Sequence, residues 1–369
     1  MCSENEMNRR KMNRREALQL MAGAVGAGVA GRSSWTALSA QARTTPIPQG
    51  GIIRTILKDL PPSAIRGHLL FHEHLSFGSV FFGKMRPANA PRPATPPPPS
   101  YLETPERVVD EVKATMQQGV GLIVDGGHPD MGTNYDHLKM ISEKTGLHVV
   151  ASGGYYLQTT YPPEVASESE EQLVEGLVRD AGKYRWGAFG EIGSSPTMTD
   201  DERKVFRVMA QAVKRTNLPM YSHTPHTGCK GCAIEQFEIL TKAGVDMKKI
   251  CIGHLSDIGD DPNAETHKTI AKAGAWLGFD TVGHRLGPGD SVKVSMILKL
   301  LDAGHEDKIL LASDFAAEPE IKANGGAGYS TVSTVFLPKL KYAGVNDATI
   351  KRLIEDNPKR FLAFVPPKA

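Results

Sequence analysis

Gly67-His68-Leu69-Leu70-Phe71-His72-Glu73-His74-Leu75 is the stretch on which the fold turns. Its apolar run reads as a β-strand, with Leu69 and Phe71 on one face and Leu70 and His72 on the other. Residues two apart on a strand point the same way, so His72 and His74 project together past the strand's end. Two imidazoles so placed can grip one metal ion. A lone His-x-His more often ends a strand without a ligand; this one gains weight from what the rest of the chain repeats.

From Thr104 onward, short apolar runs alternate with segments of helical spacing. The runs are Gly121–Asp125, Leu147–Ser152, Trp186–Glu191, Pro219–His223, Ile250–His254, Ala275–Asp280 and Ile309–Asp314. Together with the first strand they make eight, each followed by a helix. That order predicts one parallel sheet closed on itself, an α/β fold of the (β/α)8 TIM-barrel type, rather than an open doubly wound sheet. An open sheet would gather its ligands at one switch point, whereas here polar residues mark the ends of most strands.

A closed barrel points all strand C-termini at one mouth. His72 and His74 on the first strand, Glu191 on the fourth, His223 on the fifth, His254 on the sixth and Asp314 on the eighth are therefore expected to meet. Four imidazoles and two carboxylates exceed the needs of one tetrahedral ion and suit two ions roughly 3.5–4 Å apart with a shared oxygen ligand.

The chain of 369 residues does not begin with fold-like sequence. Asn13-Arg14-Arg15-Glu16-Ala17-Leu18-Gln19, an apolar Gly/Ala-rich run from Ala17 to Ala30, and Ala40-Gln41-Ala42 read as a twin-arginine export leader covering 1–42. A single hydrolase domain then spans 43–369, and the expected destination is the periplasm or the medium. The expected partners are the twin-arginine export machinery and a small-molecule substrate, with a homodimer left open. Removing the leader's six Lys/Arg and three Asp/Glu from the 43 and 41 of the whole chain leaves a near-neutral remainder, with no basic bias toward nucleic acid. Cys229 and Cys232 form Cys-x-x-Cys, readable as a local disulfide or a free pair, while Cys251 reads as a core residue. Seven prolines from Pro87 to Pro99 preclude a helix or central strand; that loop reads equally as a lid or as a disordered insert.

The strand-end pattern, from His72-Glu73-His74-Leu75 to Asn357-Pro358-Lys359-Arg360-Phe361, resembles the phosphotriesterase family of the amidohydrolase superfamily. The resemblance implies two divalent metal ions, with zinc the expected metal. His72, His74 and Asp314 would hold one ion, and His223 and His254 the other. Where the best-known members carry a carbamylated lysine, Gly190-Glu191-Ile192-Gly193 presents a glutamate able to bridge two cations. That glutamate, with Lys322-Ala323-Asn324-Gly325-Gly326, looks like the phosphotriesterase-related branch, which includes the phosphotriesterase homology proteins. Its mammalian members are linked to hydrolysis of N-acyl taurines. Tyr155 matches a tyrosine that lactonases of the family carry after strand three, but Thr281 stands where lactonases have an arginine and phosphotriesterases a relay histidine.

The expected activity is hydrolysis of a small ester, lactone, amide or phosphotriester by a hydroxide bridging the ions. Asp314 is expected to take the proton. Asp257 is placed to orient His254 or relay a proton, with an ordinary salt bridge as the plainer alternative. Tyr155 and Tyr156 could line the pocket or donate to an oxyanion, and packing is the plainer reading of Tyr156. His68, His137, His148, His267 and His305 read as structural or surface groups; His128, His226 and His284 follow strands two, five and seven and read more readily as surface loop residues than as substrate contacts. Two other functions fit the same barrel. One is a TatD-type deoxyribonuclease, which also has His-x-His and a strand-four glutamate. The other is a non-catalytic metal-binding barrel.

Overall fold

Apolar runs pair side by side in the computed structural model, which describes residues 46–85, 99–283 and 287–367. The barrel strands are β1 (His68–Glu73), β2 (Val120–Asp125), β3 (His148–Val150, resumed as Ser152–Gly153), β4 (Ala188–Gly193), β5 (Met220–His223), β6 (Ile250–Ile252), β7 (Trp276–Phe279) and β8 (Ile309–Leu311). All neighbouring pairs from β1 to β8 run parallel. The eighth strand returns to the first through two backbone hydrogen bonds, Asp314 N–H to His72 O and His74 N–H to Phe315 O, both 3.2 Å. The sheet is thus closed, as the alternation predicts.

Two packed layers account for the core. Leu69, Phe71, Leu122, Val124, Val150, Ala188, Tyr221, Cys251, Trp276, Leu310 and Ala312 form one buried cluster, drawn from every strand and filling the barrel interior. Leu70, Ile123, Val149, Phe189, Ile252 and Leu277 belong to a second cluster with the helices. These helices are α1 (Pro105–Met116), α2 (Tyr135–Thr145), α3 (Glu170–Lys183), α4 (Asp200–Thr216), α5 (Lys230–Lys242), α6 (Glu265–Lys272) and α7 (Asp290–Asp302). Their starts are written in the sequence: Ser169 with Gln172 and Thr199 with Glu202 form capping boxes, and Asn134 caps α2. A hairpin of Ile53–Arg54 with Asp59–Leu60 precedes the barrel.

The structure corrects one expectation on β1. Strict alternation puts Leu70 and His72 on one face, yet Leu70 packs in the helix-facing cluster while His72 turns into the mouth. The β1–β2 register slips between Leu70 and Glu73, and such an irregularity re-aims the side chains beyond it. The β4–β5 register slips likewise between Phe189 and Ile192, at Glu191.

Cys229 and Cys232 are joined as a disulfide at the start of α5, and Cys251 is a buried core thiol. No helix among the described residues is long and apolar enough to cross a membrane. The leader, the proline-rich segment up to Pro98 and His284 lie outside the described residues.

Candidate metal centre

Glu191 lies at the middle of the barrel mouth. Its Oε1 is 3.4 Å from His74 Nε2. Its Oε2 is 2.8 Å from His223 Nδ1 and 3.5 Å from both His72 Nε2 and His254 Nε2. Asp314 Oδ1 lies 2.9 Å from His74 Nε2 and 3.4 Å from His72 Nε2. His254 Nε2 is 2.8 Å from His223 Nδ1. The six residues singled out from strand ends are therefore brought together, with the Glu191 carboxylate lying between the His72/His74 side and the His223/His254 side.

Backbone shape aims these groups. His254 and Asp314 follow their strands in the left-handed region, at φ 53° and 48°, a conformation costing a non-glycine residue on the order of 1–3 kcal/mol. Neighbours over-determine both. Buried Glu73 accepts hydrogen bonds from Ser313 N–H (2.8 Å), the Ser313 hydroxyl and Phe315 N–H (2.7 Å), gripping the chain on either side of Asp314. Burial pushes the Glu73 carboxyl up to about 7, although these donors pull it down. His254 N–H donates to Asp280 Oδ1 at 2.7 Å. Gly126 is required by close approach: a Cβ there would stand 2.8 Å from His74 and 2.9 Å from His72.

The residues fit cations. His72 Nε2 and His74 Nδ1 are buried without a hydrogen-bond partner, and His72 Nε2 points between two carboxylates. His72, His74, Glu191 and Asp314 place one ligand atom each within 4.8 Å of one another. His223, His226 and His254 do the same. Two such groups sharing Glu191 suit two divalent ions. Burial disfavours charge on His74, but Asp314 and Glu191 outweigh it and hold the imidazole up at about 9. His72, by Glu191 and Asp314 with Asp280, and His254, chiefly by Asp280, are also raised against burial. Burial and the adjacent His254 and His226 push His223 down to about 4, against the pull of Glu191. The imidazoles in turn hold Glu191 and Asp314 well below the ordinary carboxylate range despite burial.

Asp280 has no counterpart among the residues read from sequence. Fully buried after β7, its Oδ2 lies 2.9 Å from His72 Nδ1 and its Oδ1 3.2 Å from His254 Nδ1. One carboxylate thus orients an imidazole in each half. Its signal in the sequence is an acidic residue closing the apolar run of strand seven.

The expected roles of five residues are corrected. Asp257 does not orient His254; its Oδ2 meets His226 Nδ1 at 2.9 Å and its Oδ1 accepts from the Thr281 hydroxyl at 2.5 Å. Tyr155 does not reach the cluster. It lines an outer cavity of about 630 Å3 with Glu164, Glu168 and Asp180, and its ring meets Tyr161. The next residue, Tyr156, turns the other way and places its hydroxyl 3.3 Å from His223, against the packing role expected of it. His128 and His226 are not surface groups either. His128 is fully buried, bonded to Asp130 and, at 2.9 Å, to Glu191 O, while His226 is half-buried with its ring centroid 4.3 Å from that of His254. The remaining described histidines lie outside the cluster; His267, for example, is buried with its Nε2 3.0 Å from Leu255 O.

The model of the phosphotriesterase family matches residues 53–362. An aryldialkylphosphatase from Saccharolobus solfataricus is 31% identical over 324 residues, covering 83% of this chain and 98% of that protein. An N-acetyltaurine hydrolase from Bos taurus is 26% identical over 361 residues, covering 85% of this chain and 98% of its own. The crystal structure of the phosphotriesterase homology protein from Escherichia coli, described as complexed with phosphate in its active site, superposes with a TM-score of 0.70 at 28% identity, covering 80% of this chain and 98% of that one.

Proposed function

The chain belongs to the phosphotriesterase family and is a metal-dependent hydrolase of small molecules; from that premise we propose that it cleaves a carboxylic ester, lactone or amide at a binuclear site. The observation that carries the binuclear reading is Glu191, whose carboxylate lies within 3.5 Å of imidazoles from both groups of ligands. His72, His74 and Asp314 would hold one ion, and His223 and His254 the other. When bound, two zinc ions would supply Lewis acidity and lower the pKa of a water from 15.7 toward ~7.

The chain's own residues do the rest. Asp314 keeps Oδ1 on the β1 histidines and turns Oδ2 toward His226 Nε2 at 3.6 Å and His254 Nε2 at 3.9 Å. At Oδ2 it takes the proton of the attacking water and passes it to the leaving group. Burial, with Glu191 and Asp314 nearby, holds the Tyr156 phenol well above its usual range, so its hydroxyl stays protonated and can donate to an oxyanion growing on a carbonyl carbon. That placement is what favours acyl substrates over phosphotriesters. The twin-arginine motif and the Cys229–Cys232 disulfide support a further proposal, that the enzyme works after export to an oxidising compartment.

The test is a panel of lactones, N-acyl amino acids, aryl esters and phosphotriesters, assayed with chelator-stripped protein and after adding back Zn2+, Mn2+ or Co2+. Metal-dependent acyl hydrolysis is expected, with Asp314→Asn retaining much of its metal while turnover falls by about 10²–10⁴. Turnover confined to phosphotriesters would overturn the acyl assignment. DNA cleavage with a steep salt dependence would point to the nuclease reading. Two ions bound with no turnover on any substrate would leave a binding protein.

A further inference from the structure

Three imidazoles at the mouth share one wiring pattern. His72 sets Nδ1 2.9 Å from Asp280 Oδ2 and turns Nε2 to the cluster, and His254 sets Nδ1 3.2 Å from Asp280 Oδ1 and does likewise. His226 repeats this from the loop after β5. Its Nδ1 is 2.9 Å from Asp257 Oδ2 and its Nε2 lies 3.6 Å from Asp314 Oδ2. A carboxylate at Nδ1 fixes the proton there and leaves the Nε2 lone pair directed at the centre, as in metal-ligating histidines generally. The His226 ring centroid is 5.1 Å from that of His223 and 4.3 Å from that of His254, and ligand atoms of the three lie within 4.8 Å of one another. We infer that His226 is a third imidazole ligand of the ion held by His223 and His254. The inference rests on the binuclear reading and adds a ligand to it.

The support behind His226 is too extensive for a surface loop histidine. The Asp257 side chain is fully buried and backed by the Lys293 ammonium, 3.9 Å from Oδ1. Lys293 is itself fully buried, donating to the Thr281 carbonyl and, at 3.2 Å, to its hydroxyl. Lysine is rarely buried so completely unless paired, and stripping water from two opposite charges is costly. Two glycines let the chain wrap Asp257 this tightly: a Cβ on Gly287 would meet its Oδ1 at 2.6 Å, and one on Gly228 its carbonyl oxygen at 2.8 Å. Lys293, Thr281 and Asp257 therefore form a fixed seat for one imidazole. Thr281 occupies the position where relatives were expected to carry arginine or histidine, and here it is spent on that seat. Three nitrogens and the Glu191 oxygen make a set suited to Zn2+ or Co2+ rather than to Mg2+ or Ca2+.

The experiment uses the full chain, stripped and reloaded with Zn2+ or Co2+. Metal per chain is measured at buffered free concentrations, and the Co2+ form by its visible absorption. Wild type is expected to take two ions. His226→Asn should keep the ion of His72, His74 and Asp314, bind the other at least about tenfold more weakly, and shift the cobalt bands. Asp257→Asn, which preserves shape, should weaken that same ion about 10–100-fold, the usual cost of losing a carboxylate behind a ligating histidine. It carries the test if His226→Asn does not fold. Unchanged affinity and cobalt spectrum in the folded variants, even with lower turnover, would overturn the inference and make His226 a proton relay from Asp314. Fewer than two ions on wild type would instead sink the binuclear reading itself.

Discussion

Replacing Asp280 with asparagine should unbalance the two ions, and the structure says which way. Asp280 Oδ1 serves two donors of one residue, His254 N–H at 2.7 Å and Nδ1 at 3.2 Å, while Oδ2 serves only His72 Nδ1 at 2.9 Å. Burial favours the neutral acid, but His254 and His72 hold the carboxyl far below its usual range, so it acts as an anion. Asparagine keeps one acceptor. Placing it on the two-donor side leaves an amide N–H2 facing His72 Nδ1, which rejects the Nδ1–H tautomer that leaves Nε2 able to bind metal. One hydrogen bond to a charged acceptor is lost, about 1.5–3 kcal/mol. At about 1.4 kcal/mol per decade this is roughly 10–100-fold in affinity, and it falls on the ion of His72, His74 and Asp314. The ion of His223 and His254 should weaken by less than about tenfold, because its hydrogen bonds persist. Equilibrium dialysis against buffered free zinc reads both constants. Unchanged binding, or a larger loss at the His223/His254 ion, would refute the reasoning.

Glu191→Gln should cost at least one ion per chain by metal analysis, since the amide presents one acceptor where the carboxylate faced both halves; full occupancy with full turnover would count against a bridging role. Tyr156→Phe should lower kcat on acyl substrates by about 10²–10³, the usual loss of an oxyanion donor, while Tyr155→Phe leaves it near wild type; equal effects would mean the phenol does not touch the reaction. Metal uptake should release protons, because the neighbouring carboxylates hold His74 at about 9 and raise His72 and His254 above the ordinary histidine value. A proton competes for the same lone pair, so affinity should rise with pH up to about 9, by about tenfold per unit for each proton displaced. Calorimetry in buffers of different ionisation enthalpy counts those protons, and a count of zero would show the imidazoles already neutral.

The eight-strand rhythm and the convergence of six strand-end side chains were legible because both depend on local facts. An apolar run of strand length followed by helical spacing builds a β/α unit wherever it occurs, and a barrel gathers every strand end at one mouth. Residue type at those ends then marked the cluster, although Asp280 closes a strand too, so type alone does not tell a group in the cluster from one behind it. The capping residues Asn134, Ser169 and Thr199 were equally local. What tertiary structure alone decided was which way each group faces and what stands behind it. Asp280 meets His72 across 208 residues, and Lys293 reaches Asp257 from another helix; no spacing encodes either contact. Between Tyr155 and Tyr156, and between His254 and His226 as the partner of Asp257, the choice depended on loop trajectory, and on β1 a register slip overruled simple alternation. Side-chain identity is carried by the chain itself, but direction in the mouth follows from barrel closure, which brings remote backbones within hydrogen-bonding distance only once the fold is complete.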